Sequence, residues 1–139
     1  MALRINSIDI FPREAHICVS IGNAFPKTVS SACAQYILQQ YPQLANHACF
    51  SGGARVFGQV IQGTSVPHVL EHLIIHEQLL QCAYAYCASS ALRLVGCTTW
   101  NNDEHTSALI RVMFYDDLVL LQAVRTQTAF LNKVLKQCS

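Results

Sequence analysis

Residues 63–78 read GTSVPHVLEHLIIHEQ, and one helix accounts for nearly all of them. Ser65 can cap such a helix, and Pro67 suits its first turn, where a missing amide hydrogen costs nothing. No proline or glycine interrupts the chain before Gly96, so the helix is expected to run to about Ala85. Val69, Leu70, Leu73 and Ile74 spread apolar surface around much of its circumference, which predicts a helix buried at the centre of the domain.

The rest of the chain is arranged around that helix. Residues 4–21 mix Ile, Val and Phe with polar residues about a turn at Pro12 to Ala15, the pattern of a two-stranded hairpin. Val29, Cys33, Tyr36, Ile37 and Gln40 recur at helical spacing over 28–41, with Thr28 as the expected N-cap and Pro42 as the stop. Three glycines between Gly52 and Gly58 predict a loop leading into a short apolar turn. That loop lacks the Gly-Lys-Ser/Thr ending a phosphate loop needs. Residues 91–99 and 107–115 read as strands flanking the polar loop WNNDEHT, and Asp116 and Asp117 open a last helix whose other end carries Lys133 and Lys136. The expected order is β-β-α-α-β-β-α. It describes a single α+β domain spanning residues 1–139, an antiparallel or mixed sheet with helices packed on one face.

Composition narrows the classes of function. Nine basic residues against eight acidic ones leave a net charge of +1 with no basic run, so the electrostatic footprint of a nucleic-acid binder is missing. The apolar share is 52% and the charged share only 12%, which favours some apolar surface meeting a partner, most simply a second copy of the chain in a homo-oligomer. Arg4, Asp9, Arg13 and Glu14 break up the start of the chain, which rules out a signal-peptide core there. No segment has the length or hydropathy of a membrane span, and a cytoplasmic location is expected. Seven cysteines without a Cys-x-x-Cys pair argue against a zinc ribbon or a disulfide framework; most are read as small buried apolar residues.

Chemistry concentrates in the opening stretch. His68 and His72 lie four residues apart and project from the same helix face, with Glu71 between them in angle. His-x-x-Glu-His is the inverted form of the zinc-peptidase signature, in which two imidazoles hold zinc and the glutamate takes a proton from a water that the ion polarises. Neutral imidazoles leave the ion's charge intact, and that charge makes the water acidic near neutrality. Isolated five-residue matches also arise by accident, and histidines on long helices are often merely solvated or hydrogen-bonded. Burying three ionisable groups without a shared partner would be expensive, however, and this favours a metal. His76 continues the same face and reads as an alternative ligand, a partner to the ligands, or an ordinary surface histidine. A catalytic zinc wants a third protein ligand. Asp117 and Asp116 are the best candidates, against a plain role in capping the last helix; Asp103, Glu104 and His105 are expected to face solvent.

The stretch QGTSVPHVLEHLIIHEQLLQ resembles the N-terminal domain of cyanophycin synthetases, where Glu-Gly-Thr leads into His-x-x-Glu-His and an apolar run ending in Gln. The resemblance extends over about residues 45–131. It includes the CFSGG turn, the Gly96-Cys97-Thr98-Thr99 segment in place of a Gly-x-Thr-Arg loop, the Val112-Met113-Phe114-Tyr115 strand, and the Asp116-Asp117 pair. It implies a metal-dependent hydrolase that cuts cyanophycin, an aspartate-backbone polymer. His68 and His72 would be ligands, Glu71 the general base, and an acidic residue near Asp117 the third ligand. The chain departs from the family pattern at His76, where the family has Glu, and at Thr99, where it has Arg. Its acidic pair also sits about two residues early. The sequence therefore supports a zinc-dependent peptide hydrolase acting on cyanophycin or a similar polymer. Its alternative is a non-catalytic binding or assembly module with the same fold, and a histidine-based metal sensor is a weaker third reading.

Overall fold

The computed structural model describes residues 1–49, 53, 55–85 and 94–138. Strands β1 (Leu3–Ile10) and β2 (Glu14–Ile21) form the expected hairpin. The amide of Phe11 closes its turn on the carbonyl of Glu14 at 2.9 Å. Helix α1 (Ser31–Gln40) starts later than expected, because Ser30 rather than Thr28 supplies the cap, its side chain accepting from the Cys33 amide. Thr28 instead bridges Ser65, and the amides of Val29, Gly63 and Val66 bond to the carbonyls of Thr64, Val29 and Lys27. These bonds tie the entry of α1 to the entry of the central helix. Pro42 does stop α1 and begins a 3-10 turn, Pro42–Asn46.

The glycine-containing segment carries more structure than a loop. Two-residue strands β3 (Ala48–Cys49) and β4 (Arg55–Val56) pair antiparallel and lead into the single-turn helix α2 (Phe57–Val60). The central helix α3 (Val66–Ala85) follows, its first turn bound by Ser65 Oγ, which accepts from the His68 amide. Strands β5 (Gly96–Trp100) and β6 (Ser107–Met113) and helix α4 (Asp117–Cys138) complete the chain. Of the expected strand at 91–99, residues 91–93 lie outside the described residues and the observed strand begins at Gly96.

The main sheet runs β1-β2-β6-β5 and every neighbouring pair is antiparallel. Alternation decides its faces. Ala15, Ile17, Val19 and Ile21 of β2 and Ala108, Ile110 and Val112 of β6 are buried, while His16, Cys18 and Ser20 between them are half-buried on the other side. Helices α3 and α4 pack on the buried face, α3 against β5 and β6 and α4 against β1 and α3. The α+β class and helices on one face are thus observed. Eight successive residues of α3, Val69 to His76, are all buried, so the middle of this helix has no solvent side.

The cysteines divide more evenly than a purely apolar reading predicts. Cys33, Cys49 and Cys82 are buried, Cys18 and Cys138 half-buried, and Cys97 exposed. Cys82 is disulfide-bonded; Cys18, Cys33, Cys49, Cys97 and Cys138 are free thiols. Among the described residues, no helix is long and apolar enough to cross a membrane.

Helix α4 begins on a side-chain cap. Asp116 Oδ1 accepts from the amides of Leu118 at 2.9 Å and Val119 at 3.1 Å. Asp116→Ala is expected to lower stability by about 1 kcal/mol, measured by urea denaturation, because two amides at the positive end of the helix lose their acceptor.

Candidate metal centre

Helix α3 and the β3 strand build the site between them. The periodicity of α3 places His68 and His72 one turn apart, with ring centroids at 4.9 Å. Strand β3 then brings Cys49 alongside, its Sγ lying 3.7 Å from His68 Nε2. Cys49, His68 and His72 each offer a ligand atom within 4.8 Å of the others, the one such grouping of His, Cys, Asp and Glu among the described residues. A buried cluster of this composition could hold a metal ion.

The donors are fixed by their neighbours. Thr64 Oγ1 lies 2.7 Å from His68 Nδ1, and in the tautomer that donates from Nδ1 to the threonine, Nε2 turns its lone pair towards Cys49. Phe57, the first residue of α2, stacks on the His72 ring at 3.9 Å and meets His68 edge-on at 5.5 Å. His72 Nδ1 is buried with no hydrogen-bond partner. An orphaned imidazole nitrogen in a closed site costs free energy that a metal would recover.

Glu71 faces the other side of the site, towards β5. Its carboxyl is buried, and Oε1 accepts a 2.7 Å hydrogen bond from Thr98 Oγ1. Burial pushes its pKa up to about 7, although the Thr98 hydrogen bond pulls the other way. Oε2 lies 3.9 Å from His72 Nε2, yet the pair is not ionic near neutrality, because burial and the neighbouring His68 and His47 press the His72 pKa down to about 3. Gly96 makes room for this carboxyl. A Cβ there would lie 2.9 Å from Glu71 Cγ and Oε2 and 3.0 Å from the Arg111 carbonyl.

His76 is buried and is not the surface histidine expected as one of its readings. Its Nδ1 lies 3.1 Å from Nε2 of His47, a residue on the 3-10 turn side of β3, and Tyr41 packs edge-on against its ring. Burial, with His76 nearby, lowers the His47 pKa to about 4; burial also lowers that of His68 and of His76, the latter against an opposing pull from Glu77. The site is therefore a nest of neutral imidazoles, the state that binds metal.

Three expected participants stand elsewhere. Asp116 and Asp117 are exposed at the start of α4, and Asp116 is engaged as its cap. Thr99 is exposed on the sheet face away from α3, paired in register with Leu109, and its neighbour Thr98 takes the inward position. A one-residue step along a strand reverses the face, so only one of the two threonines can reach Glu71. Asp103, Glu104 and His105 are exposed as expected, His105 stacking on Trp100. Sequence reasoning passed over Cys49, His47, Thr64, Thr98 and Phe57. The glycines that follow Cys49 in the sequence Cys-Phe-Ser-Gly-Gly were a usable signal for it, since glycine permits a chain reversal that can return a side chain to a neighbouring helix; nothing in the sequence marked Thr98 over Thr99. Compared with protein-family models, curated proteins and solved structures, the chain matches none.

Two outcomes test the centre. Cys49→Ala or His72→Ala should remove a metal otherwise held at about one ion per chain, whereas Asp117→Ala should leave it, as read by elemental analysis. The pH dependence of the metal-free protein follows from the shifts. On unfolding, His47 and His72 return to 6.5 and take up a proton between that pH and about 4, so their contribution is lost as pH falls. Glu71, raised from 4.5 to about 7, opposes them, since its contribution is present below 4.5 and lost as pH rises through 7. His68 and His76, also lowered, add to the histidine side, so uptake outweighs the opposing carboxyl and urea denaturation should show stability falling as pH drops from 6.5 to 4.5, by at least about 1.4 kcal/mol per pH unit near pH 5.

Proposed function

We propose that the chain is a zinc-dependent peptide hydrolase acting on cyanophycin or a similar aspartate-backbone peptide. The observation that carries this reading is the convergence of Cys49, His68 and His72 beside a buried carboxyl, Glu71, whose pKa lies at about 7. One thiolate and two imidazoles suit zinc, and three protein donors are the number that leaves a position open. Zinc held there would polarise a water and the scissile carbonyl. Cys49 and the two histidines bind, Thr64 orients His68, and Phe57 holds the His72 ring in place. Glu71 moves the proton. Oε1 is held by Thr98 and Oε2 lies against Gly96, so the carboxyl would turn about the Thr98 hydrogen bond for Oε2 to accept the proton of the attacking water and pass it to the departing amine nitrogen as the carbon–nitrogen bond breaks. The substrate class rests on the likeness of Gly63 to His72 to the cyanophycin synthetase N-terminal domain. The setting proposed is the cytoplasm, in keeping with five of the six described cysteines, Cys49 among them, being free thiols; the disulfide at Cys82 is the exception.

A second reading is a binding or assembly module that keeps the metal without the reaction. It is favoured by the depth of the site, with Cys49 and Glu71 at 3% exposure and His72 at 4%, and by the absence of a cationic side chain at Thr99.

Glu71→Gln separates the two. The substitution keeps the size of the side chain and both histidine ligands, so metal content should stay level. Hydrolysis of cyanophycin, followed by mass spectrometry of the digest, should fall by about a hundredfold to ten-thousandfold. Parent and variant equally metallated and equally inactive on aspartate-backbone peptides would leave the binding module.

A further inference from the structure

Strand β1 is nearly a mirror of itself. In Leu3-Arg4-Ile5-Asn6-Ser7-Ile8-Asp9-Ile10, Leu3 mirrors Ile10, Arg4 mirrors Asp9 with opposite charge, Ile5 mirrors Ile8, and Asn6 mirrors Ser7. In an uninterrupted strand of even length this symmetry would lead nowhere, because mirror positions point to opposite faces. The register of β1 slips between Ile5 and Ser7, however. As a result Leu3, Ile5, Ile8 and Ile10 stand opposite Ile21, Val19, Ile17 and Ala15 on the core face, while Arg4 and Asp9 stand opposite Ser20 and His16 on the other. The bulge at Asn6 thereby places the two members of each outer mirror pair on one face.

Among the described residues β1 is also an edge of the sheet, with β2 its one strand neighbour. Leu3 shows which backbone groups face outward: its amide donates to Asn132 Oδ1 at 2.8 Å and its carbonyl accepts from Asn132 Nδ2 at 3.0 Å. By the alternation of a strand, reset at the bulge, Ile5 and Ile8 aim their amides and carbonyls the same way. Along this edge runs a groove of about 430 Å³ whose lining includes Ile5, Ile8, Leu121, Val124 and Thr128. Leu121 is 39% exposed, and the Thr128 hydroxyl is buried without a hydrogen-bond partner.

We propose that this edge is the interface of a homodimer, in which two copies pair their β1 strands antiparallel about a twofold axis between Asn6 and Ser7. Ile5 of each copy exchanges backbone hydrogen bonds with Ile8 of the other. Arg4 then lies across from Asp9 twice over, and the facing isoleucines close the groove against Leu121 and Val124. Asn132 already holds the backbone of Leu3, so the ladder ends there. The occupant is a second copy and not a foreign strand because the order of charge and apolar residues is complementary to its own reverse. A strand without a matching bulge would meet β1 in register over only half its length. Charges and bulges on an edge discourage indiscriminate pairing. Here they leave self-pairing open.

A charge swap tests the register directly. Sedimentation equilibrium of the full chain should show a dimer that dissociates in the micromolar range. Arg4→Asp, or Asp9→Arg, sets like charges across from each other at both ends and should weaken the dimer by at least about tenfold. The protein with both swaps restores attraction in the opposite order and should return to within about threefold of the parent. Both positions are exposed, so circular dichroism should show each variant folded. Hydrogen exchange should find the Ile5 and Ile8 amides protected in the parent and open in the single variants. A parent that is monomeric across that range, a dimer indifferent to either single swap, a double swap no better than the singles, or fast exchange at Ile5 and Ile8 in a dimeric parent would each overturn the proposal.

Discussion

Everything in this molecule is organised around the cost of burying the middle of α3. Glu71, His72 and His76 lie within eight successive buried residues, on a helix that faces the sheet on one side and the β3 segment and α4 on others. Ionised groups in such a place would each cost several kcal/mol, so the structure meets them with neutrality and specific partners. Thr98 and the space above Gly96 accommodate Glu71, Phe57 covers His72, and His47 meets His76.

The same constraint produces the chemical character of the site. Burial that keeps imidazoles neutral also keeps them ready as metal donors, and burial that raises a carboxyl to about 7 leaves it able to take and return a proton near neutral pH. The unpartnered His72 nitrogen is where, among the metal donors, the account does not balance within the chain alone. A cation bound by Cys49, His68 and His72 would restore the balance. These features belong to one arrangement: the depth that makes the site costly without metal is what gives its histidines and Glu71 a perturbed affinity for protons.

The sheet contributes in a different way at its two edges. At β5 it presents Gly96 and Thr98 to the site, so the inner edge is part of the chemistry. At β1, the far edge, it presents a bulged strand whose order is complementary to its own reverse, beside an apolar groove. Two strands, β2 and β6, lie between these edges, so changes at the β1 edge can be made without touching the metal donors.

The local rules of the chain were sufficient for the elements. Hydrophobic alternation gave β2 and β6 their faces, Ser65 and Pro67 marked the start of α3, Pro42 stopped α1, and Asp116 opened α4. Spacing alone put His68 and His72 on one helix face, because the period of an α-helix is a property of the backbone. The third donor was not legible. Asp117 satisfies charge and type as well as Cys49 does, and which of them reaches the histidines depends on where β3 and α4 pack against α3, a matter of contacts between segments far apart in sequence. The choice between Thr98 and Thr99 was hidden for a related reason. The register of β5 on β6 sets which threonine faces inward, and a slip of one residue, which the sequence leaves free, would exchange them.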